Sequence, residues 1–242
     1  GGVLRKLLLL LITSLAFSTV TDIDGNVYET VLIGDQLWMV ENLKVIHYSN
    51  GDAIPTGLDN SEWSSTNEGA YTIYDDDPAN AGVYGNLYNW YAVDDDRGIC
   101  PEHYHVPSDD EYTMLTDYLD GESVAGGKMK ETGFDHWSSP NTGATNESGF
   151  SSLPAGERHY NDGHYSNKNT HNLLWSTTDL PPDHFALHRT IYYNGSQIES
   201  RNYHKRLGLS VRCLQDDIEG CTYPNATNYD ETANVDDGSC EY

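Results

Sequence analysis

The sequence predicts a loop-rich α+β fold that ends in a small disulfide-closed module. Three observations carry that expectation. One well-signalled amphipathic helix follows Pro107, and the other apolar stretches are short and strand-like, without an alternating strand–helix rhythm. Residues 217–242 have almost no apolar side chains, yet they hold two of the four cysteines. The chain has 242 residues with 22 Gly and 9 Pro, most of them scattered singly, long enough for a buried core and rich in turns.

Residues 1–18 form an apolar segment. Arg5 and Lys6 precede Leu7, Leu8, Leu9, Leu10, Leu11, Ile12, Leu15 and Phe17, while Ala16 and Ser18 are small residues that suit a signal peptidase. The run is too short to span a bilayer, so no membrane span is expected. Two outcomes stay open. The segment is removed on export, or it is retained as an arm whose leucines another copy of the chain must shield. In the second case it lies along a neighbour as an added strand or bundles as a helix. Both outcomes place the protein outside the cell or on its surface, where cysteines pair.

Residues 19–216 form the main domain. Thr19 to Leu43 reads as β structure, with Asp24-Gly25-Asn26 as a turn and Val27, Val31, Ile33, Leu37 and Met39 as the apolar face. Ser49 to about Gly82 is polar and is expected to be mostly loop. Tyr84 to Tyr91 is an aromatic cluster too dense for solvent and is assigned to the core. Ser108 and Glu111 form a capping box, acidic residues fill the first helical turn, and Tyr112, Leu115 and Leu119 share one face. Gly121 can end that helix. Gly126-Gly127-Lys128 reads as a turn. Short strands are expected at Ile191–Tyr193 and Leu209–Val211.

In residues 217–242 a Cys221–Cys240 bridge would close the loop and contribute about 3 kcal/mol on the loop-entropy model. Asn228, Asp230, Asn234, Asp236 and Asp237 supply oxygen donors of the kind Ca²⁺ prefers. The alternative is an acidic loop held by its disulfide alone.

The charge balance narrows the partners. Lys plus Arg number 13 against 38 Asp plus Glu, a formal net charge of -25, which repels phosphate backbones and argues against nucleic acid. Calcium as cofactor and a solvated acidic surface both fit this charge. Ten His invite a metal reading, but His184 and His188 on a strand stand about 13 Å apart, too far for one zinc. A structural or surface role is expected for them. There is no phosphate-binding glycine loop and no nucleophile elbow. Tyr and Trp beside Asn and Asp suit surface glycans, although the tripeptides of calcium-dependent lectins are absent.

Ordered blocks carry a family resemblance. Asp24-Gly25-Asn26-Val27-Tyr28, Trp38-Met39-Val40-Glu41-Asn42-Leu43, Tyr88-Asn89-Trp90-Tyr91 and Cys100-Pro101 come first. Gly127-Lys128-Met129-Lys130-Glu131, Leu153-Pro154-Ala155-Gly156, Trp175-Ser176-Thr177 and Ser210-Val211-Arg212-Cys213 follow. Across Asp22 to Gln215 the chain resembles the Fibrobacter succinogenes major paralogous domain family, and its tail resembles a short Gly-Cys…Asp-Asp-Gly-Ser-Cys repeat of secreted bacterial proteins.

The resemblance implies a C-type-lectin-like fold shared with formylglycine-generating enzymes. It also implies a Cys100–Cys213 bridge, because the two cysteine-bearing blocks remain once Cys221 and Cys240 are assigned to the tail. A bridged Cys213 offers no thiolate, so no enzyme activity is expected. The expected function is a structural subunit of an extracellular filament or surface layer that assembles with other copies through its arm. A monomeric adhesin or glycan-binding module with a cleaved signal peptide is the alternative.

Overall fold

The computed structural model describes residues 18–180 and 184–242. In chain order the elements are β1 (Thr19–Thr21), β2 (Val27–Ile33), β3 (Gln36–Met39), α1 (Asn60–Ser65), β4 (Tyr71–Thr72), α2 (Pro78–Tyr84), β5 (Leu87–Tyr88) and α3 (Trp90–Val93). Then come β6 (Tyr104–His105), α4 (Asp109–Tyr118), α5 (Glu122–Met129), β7 (Glu157–Arg158) and β8 (Tyr165–Ser166). β9 (His171–Leu180), β10 (Phe185–Tyr192), β11 (Ile198–His204), β12 (Leu214–Gln215), β13 (Glu219–Gly220) and β14 (Val235–Asp236) complete the order. None of the described helices is long and apolar enough to cross a membrane.

A five-stranded antiparallel sheet runs β1-β2-β3-β12-β6, so the opening hairpin pairs with the closing strand of the main domain. A second antiparallel sheet runs β11-β10-β9. It is longer than the sequence suggested: β10 covers Phe185–Tyr192, not only the region around Ile191. Leu209 and Ser210 make isolated bridges instead of a strand.

Local chemistry explains several departures. In β2 Tyr28 and Thr30 are buried on one face and Ile33 on the other, while Val27, at the strand's start, is 55% exposed. Burying the ring is worth more than burying Val27, and its hydroxyl is satisfied by donating to Asp22 at 2.7 Å. The stretch expected as loop holds two helices. Asp59 and Glu62 form a second capping box at α1, and Asp77 caps α2 just before Pro78. Gly126 and Gly127 sit inside α5 instead of in a turn. A Cβ on Gly126 would lie 2.3 Å from the Gln197 carbonyl oxygen, so the helix can approach that loop only without side chains.

α4 forms as its signals dictate. Ser108 accepts from the Glu111 N–H, Glu111 reaches back to the Ser108 N–H, and Tyr112, Leu115 and Leu119 are buried. They join Trp38, Met129, Trp137, Phe150 and Leu174 in one core cluster. Tyr28, Met39, Tyr88, Trp90, Trp175 and the Cys100–Cys213 bridge belong to another. Trp38, Trp63, Trp137 and Trp175 are each 1% exposed or less, and truncating one such ring costs about 3–5 kcal/mol.

Buried cations tie the loops together. Lys130, Arg158, Arg189, Lys205 and Arg212 are all under a tenth exposed. The Lys130 ammonium donates to the carbonyls of Thr142, Tyr192 and Gly195 at 2.8, 3.0 and 2.8 Å. Arg158 donates to the carbonyls of Gly163 and Leu58 while its guanidinium lies 4.6 Å from the Trp63 ring centre. Arg212 donates to Asn42 at 2.8 Å and to the Phe150 carbonyl. Burial pulls Arg212 down to about 10 and Lys130 to about 8. Carbonyls left bare by irregular backbone thus find donors inside the protein.

Candidate functional site

Both disulfides stand as expected. Cys100–Cys213 ties the segment before β6 to the strand that closes the first sheet, and Cys221–Cys240 closes the tail. No cysteine is free. The residues expected to mediate assembly, Leu7, Leu8, Leu9, Leu10, Leu11, Ile12, Leu15 and Phe17, lie outside the described residues.

Each of the tail donors has a hydrogen-bond partner within the tail or at its junction with the main domain. Asn228 accepts from the Glu241 N–H and donates to the Ser239 carbonyl. Asp230 accepts from Thr232, Asp236 from the Gly238 N–H, and Asp237 from the Ser239 N–H. Asn234 accepts from the Ile218 N–H and donates to the Asp216 carbonyl, joining the tail to the main domain. Each group serves a turn or a strand junction. Among the described residues no three His, Cys, Asp or Glu side chains are grouped to hold a metal ion.

Histidines are divided between core and junction. His188 is 1% exposed, and burial, aided by Arg201, pushes it down to about 4. His103 adopts φ +63°, so it and His105 do not share one extended face. His105 bridges Glu111 at 2.9 Å and Asp216 at 2.6 Å, where the tail begins. Its hydrogen bond to Glu111 raises its pKa against burial, with Asp216 adding to the rise. Burial works to raise Glu111, but hydrogen bonds from His105 and Ser108 outweigh it and hold the carboxyl at about 2.

Two surface features stand out instead. The first is an open cleft of about 720 Å³ lined by Pro55, Asn67, Glu68, Tyr91, Asp95 and Arg97 among others. Its walls are pinned by Asn89, fully buried, which donates to the Glu68 carbonyl and accepts from the N–H groups of Ala70 and Ala92. Tyr91 and Arg206 both donate to Asn67 Oδ1, at 3.2 and 2.6 Å. Arg97 clamps Asp95 with two bonds of 2.8 and 2.7 Å, and that pairing lowers the Asp95 pKa. The cleft presents a half-buried aromatic ring, a fixed amide and several carboxylates.

The second feature is apolar. Leu32, Met114 and Tyr118 are 66, 59 and 64% exposed. Tyr118 borders two grooves of about 320 and 530 Å³, one beside Ile33, Gly34 and Met114, the other beside Leu32 and Leu119. Clustered in this way, exposed apolar side chains differ from singly scattered ones, which are ordinary on a protein surface.

The sequence matches the profile of the Fibrobacter succinogenes major domain over residues 31–215. The chain belongs to that family. No curated protein and no solved structure matches it. The family-bearing blocks fall on structural hubs of this major domain. Asn89 braces the cleft, Trp90 donates to the Ser176 carbonyl, Lys130 and Arg212 bind loop carbonyls and an amide, and Cys100 meets Cys213. Tyr91, from one of those blocks, reaches the cleft. Leu32, Met114 and Tyr118 carry no local sequence signal; tertiary packing alone gathers them.

Proposed function

We propose that this protein is a non-catalytic structural subunit of an extracellular assembly, built on a C-type-lectin-like body and joined to its neighbours by the apolar segment in front of β1. The carrying observation is where that segment attaches. β1 is the edge strand of the five-stranded sheet, and Ser18 meets Thr30 of β2 there, the Thr30 N–H donating to the Ser18 carbonyl at 2.9 Å. An apolar run leading off a sheet edge is a natural donor to another chain. The pairing of β2–β3 with the closing β12 supports the lectin-like reading of the body. Two disulfides suit an oxidising, extracytoplasmic setting. The bridged Cys213 supports a role without thiol chemistry.

Mass spectrometry of the mature N-terminus, with sedimentation of the intact chain and of one lacking residues 7–17, tests the reading. Retained leucines and assembly that depends on them are expected. A mature chain starting near Thr19 overturns it.

The cleft favours a second reading, a secreted adhesin that holds surface glycans. Tyr91 offers a ring face for sugar C–H groups, and Asn67 with the nearby carboxylates offers partners for hydroxyls. A glycan array decides it, since binding that Tyr91→Ala reduces at least tenfold is expected. An array with no binder leaves this second reading without support.

A further inference from the structure

Resting on the assembly reading, we propose that residues Leu7–Ile12 of a second copy seat in the two grooves flanking Tyr118, so that subunits join head to tail. The first reason is length. β1 pairs Thr19 with Glu29, and beyond the Ser18–Thr30 contact β2 has three residues left, Val31, Leu32 and Ile33, before its turn at Gly34. The apolar run from Leu7 to Phe17 would span about 35 Å if extended, and three residues of β2 cover about 10 Å of it. By the register of β1, the chain's own sheet edge would offer partners for no more than Leu15 to Phe17. Were the run to continue β1 along β2, Leu7 to Ile12 would pass beyond the sheet and need another surface.

The second reason is the match of chemistry. The grooves share Ile33 and Tyr118 and are flanked by exposed Leu32 and Met114, which gives alternate leucines of an incoming strand two apolar slots. Charge agrees as well. Arg5 and Lys6 precede the leucines, and no carboxylate lies in residues 1–17, whereas the rest of the chain carries all 38 carboxylates and 11 of the 13 cations. Asp35 and Glu147 line the grooves, with Lys128 already engaged by Asp120 and Glu147. A basic, apolar segment thus meets an acidic-rimmed apolar face. Donor and acceptor are different surfaces, so each addition exposes a fresh acceptor, and a filament grows where reciprocal exchange or ring closure does not intervene.

The test uses a chain terminator. A body beginning at Thr19 lacks the donor but keeps the grooves, so adding it to the intact chain caps growing ends. Equimolar addition is expected to shorten polymers several-fold by electron microscopy and light scattering. The same body carrying Leu32→Glu and Tyr118→Arg is expected not to cap. Both sites are exposed, and circular dichroism and the melting temperature confirm that the variant is folded. If the variant body caps as well as the unaltered one, the groove assignment is overturned while the assembly reading stands. If the intact chain forms no polymer, or is found without residues 7–12, both fall together.

Discussion

The main domain and the tail solve one problem by opposite means. Both contain polar, turn-rich stretches, and both must satisfy many backbone groups that no helix or long strand serves. In the main domain, buried side chains do it: Lys130 serves three carbonyls, Arg158 and Arg212 serve more, and tryptophans pack around them. In the tail, Val235 and Tyr229 are exposed, Cys221 and Ala226 are the buried apolar residues, and Asx turns with one disulfide hold the loop. The main domain adds interior donors to its own crosslink, whereas the tail relies on a crosslink and its turns, and the two should fail independently.

The largest effect should come from the disulfides. Replacing Cys100 and Cys213 with Ser removes a constraint over a separation of 113 residues and should cost the main domain about 5 kcal/mol in urea unfolding. Replacing Cys221 and Cys240 should strip hydrogen-exchange protection from residues 217–242 and leave the main-domain melting temperature unchanged. If both variants melt together, the two regions are one cooperative unit and the contrast is wrong.

Next in size is Lys130→Met. The methionine fills the space, but three buried carbonyls lose their donor, and a loss of about 3 kcal/mol is expected. Asp230→Ala, at a turn of the tail, should leave the main domain's urea midpoint where it is. A Lys130→Met chain as stable as the parent would show that those carbonyls have other partners.

Two histidines sharpen the comparison by pH. The folded pKa of His188 lies near 4, below its ordinary 6.5, so the unfolded chain binds a proton that the folded chain refuses. Stability should fall as pH drops from 6.5 to 4, and His188→Gln should flatten that slope. His105, held by Glu111 and Asp216, has the opposite displacement. Its contribution is complete below pH 6.5 and is lost as pH rises through its raised value. Exchange at Asp216, where the tail begins, should quicken over that rise and lose its pH dependence in His105→Gln.

The smallest effect is salt. With five cations buried, the surface is more one-sided than the composition suggests, and added NaCl should raise the melting temperature by a few degrees through screening of self-repulsion.

What could be read from the sequence was local or family-borne. Ser108 with Glu111 announced α4 because a capping box lies within one turn. The same signal at Asp59 and Glu62 lay inside a stretch read as loop because α1 offers just Trp63 to the core, too little to show periodicity. The β9–β10–β11 sheet was underread because β11 alternates little and is half exposed, with Glu199, Arg201 and Asn202 in its middle. Its pairing with β10 supplies what its composition lacks. The aromatic stretch near Trp90 was placed correctly in the core, but the cleft it braces depends on residues 53–55 and 67–69, which only the tertiary fold brings near Tyr91. The tail carboxylates were legible as oxygen donors, yet their direction was not, since each turn claims its own.

The closeness of Cys221 to Cys240, 4.9 Å between Cα atoms, has a mechanical consequence. Tension applied at Tyr242 would enter through Cys240, cross the sulfur bridge to Cys221 and reach β12, whose neighbour Cys213 is anchored to Cys100. The eighteen or so residues between would carry no load. A segment relieved of force in this way is free to change its sequence without weakening the line along which the molecule is pulled.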